Sequence, residues 1–145
     1  MTISADIQQR LKDINPPIFR LVEGTAAFSV LNGEPKATPA AYVLVEEELS
    51  SDNLRMTGPV LQRTEADFAV IIVTRNVSDN IGGAAADDIE ALKIQVRQAI
   101  IGFVPPSSAA GEPLIHVSGN LLKAKSGAVW QREVFGTADY QEEQS

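Results

Sequence analysis

Two apolar runs govern what this chain can become: Ala40-Ala41-Tyr42-Val43-Leu44-Val45 and Phe68-Ala69-Val70-Ile71-Ile72-Val73, six residues each. Successive side chains of a strand point to opposite faces, so a run without polar alternation makes both faces apolar. Such a strand has to be covered on both sides. Ala41, Val43 and Val45 share one face and Tyr42 and Leu44 the other, which places the first run at or near the centre of a sheet. The second belongs to a longer strand, Leu61 to Arg75, whose polar start (Gln62, Thr64, Ala66) predicts one wet end and one buried end. Both runs fall far short of the ~20 residues needed to span a bilayer, and no transmembrane helix is predicted.

Helical periodicity frames these strands. Ile3, Ile7, Leu11 and Ile14 form one stripe of a 3.6-residue period, capped by Ser4 or Thr2, and Asn15-Pro16-Pro17 stops it because the residue before a proline is driven out of the α region. Ile18 to Val22 reads as a short strand closed by Glu23-Gly24, and Ala26 to Leu31 as a turn or two of helix ending at Asn32-Gly33. After a break at Asn80-Ile81-Gly82-Gly83, the strongest helix runs from Ala85 to Ile101. Ile89, Leu92, Val96, Ala99 and Ile100 form its apolar stripe, with Asp87, Asp88 and Glu90 early and Lys93 and Arg97 late, as the helix dipole favours. Gly102 ends it; Val104-Pro105-Pro106 and Ser107 to Gly111 form a loop, and Leu114 to Val117 a strand. The last strand, Ala128 to Ala138, mixes apolar and charged side chains on both faces: Val129, Gln131, Glu133 and Phe135 against Trp130, Arg132 and Val134. That mixture predicts a sheet edge or a subunit contact. Residues 1–138 then make a single α+β domain, a mainly antiparallel (mixed) β-sheet packed by an N-terminal helix and one long helix. Asp139 to Ser145 reads as a frayed polar tail.

Composition narrows the chemistry. The 145 residues contain no cysteine and one histidine, His116, which removes thiol nucleophiles, thiolate metal sites and any two-histidine metal site. The start Met1-Thr2-Ile3-Ser4-Ala5-Asp6 has neither a basic nor an apolar segment, so no secretory signal is predicted, and the glycosylation sequon Asn76-Val77-Ser78 reads as a chance match. Twelve Lys+Arg against nineteen Asp+Glu give a net charge of -7, and the cations are scattered rather than clustered for phosphate contact. Such a surface repels DNA, as suits something DNA slides through.

Residue constellations add little catalysis. Ile81-Gly82-Gly83-Ala84 stands where a phosphate loop would, but it lacks both glycine signatures and is followed by Asp87-Asp88. Glu46, Glu47, Glu48 and Asp52 could ligate a hard cation, yet consecutive strand residues point apart, so a solvated strand end or an inter-subunit surface is the expectation. Ser118 and His116 lie two apart without an elbow motif, and Asp67, Glu65, Lys123 and Lys125 do not reproduce the spacing of a two-carboxylate-plus-lysine nuclease core. No cofactor or metal is expected. The segment Glu48 to Pro59 is more informative: it is longer than a hairpin loop needs to be and carries apolar Leu54 and Met56, which predicts an arm that docks on another chain.

Taken together, these features resemble the tail terminator proteins of long-tailed bacteriophages and prophages, in the minor tail protein group. The resemblance rests on the N-terminal helix Ile3 to Ile14, the strand Pro39 to Val45, a variable loop, Gln62 through Phe68 to Val73 and Arg75, and the helix with Leu92, Val96, Arg97 and Ile100. Gly102-Phe103-Val104-Pro105 and Val129-Trp130-Gln131-Arg132-Glu133-Val134-Phe135 complete it. It implies a sheet sandwiched by helices and a structural, non-enzymatic role. The protein would form a hexameric ring on the finished tail tube, stop its polymerisation and meet the head-side connector, with DNA passing through the lumen. The location implied is the tail or neck of the virion, assembled in the host cytoplasm. The alternative from another class is a monomeric head-completion (stopper) or tail-assembly adaptor. The residues expected at subunit or partner contacts are Glu46, Glu48, Asp52, Leu54, Arg55, Met56, Arg63, Trp130, Arg132 and Phe135.

Overall fold

In the computed structural model, which describes residues 2–75 and 83–144, the chain forms α1 (Ile3–Lys12), β1 (Leu21–Gly24), α2 (Thr25–Ser29), β2 (Ala40–Ser50), β3 (Leu61–Arg75), α3 (Gly83–Ile100), β4 (Ile115–Lys125) and β5 (Ala128–Glu142). The strands make a five-stranded mixed sheet in the order β1-β2-β3-β5-β4. β1 runs parallel to β2, and the other neighbours are antiparallel. The predicted α+β class holds. The break at Asn80 to Gly82, the start of the candidate phosphate loop and the sequon at Asn76 lie outside the described residues.

Double-sided burial of the two apolar runs organises the layers. Ala41, Val43, Phe68, Val70 and Ile72 pack with Val129 and Phe135 against Ile7 and Leu11 of α1 and Ile89, Leu92, Val96 and Ile100 of α3. Ala40, Tyr42, Ala69, Ile71 and Val73 pack on the opposite face with Ala128, Trp130 and Val134, roofed by Ala27 and Phe28 of α2 and by Leu31. The Tyr42 and Phe28 rings meet at 5.4 Å. Each Val, Leu, Ile or Phe side chain so buried is worth roughly 1.5–3 kcal/mol.

Local polar contacts fix the helices on that frame. Of the two cap candidates it is Thr2 that acts, its hydroxyl accepting from the Ala5 N–H at 3.1 Å. The carboxylate of buried Asp6 accepts from the Ser107 N–H at 2.8 Å, tying the proline-rich loop to α1. Arg10 donates to the Ala99 carbonyl at 2.9 Å and lies 4.9 Å from the Phe103 ring centroid, placing a cation at the C-terminal end of α3. Gly102 then takes φ +86°, a backbone conformation that favours glycine, and donates to the Leu114 carbonyl.

Four sequence expectations need correcting. β5 is not an edge strand: it lies between β3 and β4, and its charges are paired inside the chain. It also continues to Glu142, because Asp139–Glu142 pair with Leu61–Thr64, so the expected tail is strand for its first four residues. The Glu48 to Pro59 connection is shorter than predicted, since the acids Glu47 and Glu48 stay in register with Asp67 and Ala66 and β2 ends only at Ser50. Finally, β4 reaches Lys125 instead of stopping at Val117; irregularities between His116 and Ser118 and between Leu121 and Lys123 break the two-residue period that would have marked it.

Glu133 is the charged group at the heart of this packing. Its side chain has no exposed surface, and it accepts from Arg97 Nε of α3 at 2.6 Å and Gln131 Nε2 at 2.8 Å, with His116 Nε2 of β4 at 3.1 Å. Gly119 leaves the room: a Cβ there would collide with the Glu133 carboxylate. Burial pushes the Glu133 pKa up, but the hydrogen bonds from Arg97 and Gln131 outweigh it, and the net shift is downward. A lowered folded-state pKa contributes stability above the ordinary carboxylate range that is lost as pH falls through it. Arg97→Met should therefore lower unfolding free energy by about 2–3 kcal/mol at neutral pH, less than a fully buried broken pair because the guanidinium is part exposed. The gap to wild type should shrink as urea titrations move to acid; a gap independent of pH would remove Glu133 from the explanation. Phe135, fully buried, packs edge-on to His116. Phe135→Ala should cost roughly 3–5 kcal/mol, and a loss under about 1 kcal/mol would show that it is not a core residue.

Candidate interaction surface

The helices cover only part of the sheet. On the face roofed by α2, burial ends near Leu44, while β2, β3 and β5 run on towards the β2–β3 loop. Alternation from Ala69 and Ile71 sets Asp67, Glu65 and Arg63 on this open face, and alternation from Trp130 and Val134 sets Arg132 there. The result is a lattice of charges across three strands. Arg132 of β5 reaches over β3 to grip Glu46 of β2 with two bonds, Nε to Oε1 at 2.9 Å and Nη2 to Oε2 at 2.6 Å. The Arg132 hydrogen bonds hold the Glu46 carboxyl below its usual range against a smaller opposing effect of burial. Arg63 holds Glu112 with a second bidentate pair, Nη2 to Oε1 at 2.9 Å and Nη1 to Oε2, and lowers its pKa in the same way.

Beyond the lattice, the residues between β2 and β3 form an ordered tip. Asn53 Oδ1 accepts from the Arg55 and Leu61 N–H groups at 3.1 and 3.0 Å, and the Leu54 N–H donates to the Leu61 carbonyl at 2.7 Å. Arg55 donates to the Pro59 carbonyl and to Glu142, both at 3.1 Å, which joins the tip to the end of β5. Leu54 stands half exposed and Met56 is fully exposed at 101%.

The ten residues expected at contacts thus divide into three groups. Glu48, Asp52, Leu54 and Met56 are exposed around the tip. Glu46, Arg55, Arg63 and Arg132 lie on the same end of the sheet, engaged in ion pairs within the chain. Trp130 and Phe135 are core side chains; Trp130 is 6% exposed and lies under Lys123, whose Nζ is 4.4 Å from the ring centroid. What sequence patterning missed is β4, an exposed border strand with Ile115, Val117, Leu121 and Leu122 open to solvent. Its signal was the apolar content of residues 115–122, hidden by the two irregularities.

Catalytic arrangements do not assemble from these parts. His116 is opposite Phe135 and Ser118 opposite Val134, which puts the two side chains on different faces of the sheet. No group of three or more His, Asp or Glu able to hold a metal occurs among the described residues. A hollow of about 690 Å³ between α3 and the β4–β5 hairpin is lined by Ile89, Lys93, Leu121, Ser126, Val129 and Gln131 among others. Among the described residues no helix is long and apolar enough to cross a membrane.

One chain of a solved structure, the virion of a native gene transfer agent (GTA) particle, superposes with a TM-score of 0.56 at 19% identity, over 97% of this chain and 94% of its own, and so shares the fold. A second solved chain is 17% identical over 99% of this chain and 94% of its own, at a TM-score of 0.44. No curated protein sequence matches. The family model described as phage tail terminator protein matches residues 4–143, from the first turn of α1 to just past the end of β5. The chain therefore belongs to the phage tail terminator family, structural proteins of the phage tail.

Proposed function

We propose that this protein closes the tail tube as a ring, a hexamer seated on the last layer of tube subunits that ends polymerisation and presents its far side to the head-side connector. The observation that carries this is the extent of the family match, which takes in every element of the fold rather than one motif. The surface chemistry supports it. The chain offers strand borders, a charged sheet face and an ordered tip for contact, as a heterologous ring interface requires. The net charge of -7 suits a lumen through which DNA passes without sticking. No catalytic step is assigned to it.

Light scattering over a range of concentrations, with negative-stain images, tests the ring. We expect a mass near six times 15.5 kDa, or six-fold rings once purified tail tubes are added. A chain that stays monomeric in both settings would overturn the ring and favour the monomeric stopper or adaptor. The tip makes a separate prediction. Because the Met56 side chain is fully exposed, Met56→Asp should leave the unfolding midpoint unchanged while lowering the yield of tails joined to heads at least about tenfold. Unchanged joining would show that the tip touches no partner.

A further inference from the structure

Besides the short β1 and the end of β5 beyond Gly136, two stretches of strand have no strand on their outer side among the described residues. One is β4, which borders the sheet along its whole length. The other is the second half of β2: β1 covers β2 only over Ala40–Val43, so Leu44–Ser50 is open from there on, with Val45 and Leu49 exposed. Each border carries unpaired backbone N–H and C=O groups, a template for another strand.

These borders fit each other. Three antiparallel steps separate β2 from β4, so the two run in opposite directions. A step around a ring axis keeps the direction of strands that run along that axis, so in a ring with the strands so aligned one copy's β4 beside a neighbour's β2 makes an antiparallel pairing. Their charges are opposite. β4 ends in Lys123 and Lys125, while the open part of β2 bears Glu46, Glu47 and Glu48. Glu46 is already held by Arg132; Glu47, Glu48 and Lys125 form no ion pair among the described residues. The faces agree as well. Lys123 is opposite Trp130 and Lys125 opposite Ala128, on the α2 side; Glu47 is opposite Asp67, which alternates with Ala69 and Ile71 and so lies on that side too. In a continued sheet the two lysines and Glu47 share one surface.

We propose, resting on the ring function above, that neighbouring copies join by sheet continuation: β4 of one adds antiparallel to Leu44–Ser50 of the next, with Lys123 and Lys125 facing Glu47. Lysines on a free border discourage indiscriminate strand pairing, and an acid-bearing border relieves that repulsion, so the same residues that guard β4 select its occupant.

Charge exchange tests this. Glu47 and Lys125 are both exposed, so Glu47→Lys and Lys125→Glu should keep the wild-type unfolding midpoint. Each alone should raise the concentration for half assembly about tenfold, and the two together should recover most of that loss. Hydrogen exchange should show new protection at Leu44–Ser50 and Leu121–Lys125 on assembly. Wild-type rings with single variants that assemble normally, or a double variant no better than the singles combined, would overturn sheet continuation and leave the ring standing. Protection at β4 on assembly without matching protection at Leu44–Ser50 would hand that border to another partner and overturn the proposal. A wild-type chain that forms no ring, alone or on tubes, would overturn both.

Discussion

Burial of β3 on both of its faces is the constraint from which the other arrangements follow. From Phe68 to Thr74 the strand is closed to solvent, and a strand without a wet face has to lie inside a sheet with material above and below it. The long α3 supplies one cover with α1 beside it; the short α2 and the segment after it supply the other. The covers are unequal in reach, and so one half of the sheet is a conventional two-sided core while the other half extends beyond the α2 roof. The surface proposed for contact is the part of the sheet that the second cover does not reach.

Charges inside the layers follow the same logic. A carboxylate without exposed surface is costly unless ionic and hydrogen-bond partners surround it. Glu133 meets that condition by drawing on three elements at once, Arg97 from α3, His116 from β4 and Gln131 from its own strand. The border strand is thereby tied to the main helix through a charge rather than through packing alone. On the open face, Arg132 and Glu46 span β3 in a similar way, where water reaches them and the geometry matters more than the net stabilisation.

Much of the fold was legible in the sequence wherever one periodicity dominated. The stripe of Ile3, Ile7 and Leu11, the stripe of Ile89, Leu92, Val96 and Ile100 and the two apolar runs all lie where the residues put them. Legibility failed where a residue's partner is distant along the chain. Glu133 and Arg132 looked like solvent-facing charges of an edge strand because Arg97 is 36 residues from the one and Glu46 86 residues from the other. The strand was expected to give way to loop at Glu48 because acids are poor strand formers, and pairing with β3 keeps it extended to Ser50. Of the residues expected at contacts, Leu54 and Met56 were singled out by loop length and stray apolar side chains, and both are exposed at the tip. Trp130 and Phe135 were misread because aromatic bulk marks cores and interfaces alike.

Asn53 has a larger effect than its position suggests. By accepting two backbone N–H groups it holds the residues between β2 and β3 in one conformation while Met56 projects into water. A loop that must be ordered on contact loses conformational entropy at that moment, and affinity falls accordingly. This tip is ordered before any partner arrives. A partner gripping Met56, as proposed, would meet a fixed backbone, and its dwell time would be governed by the side chains it touches and owe nothing to the folding of the loop.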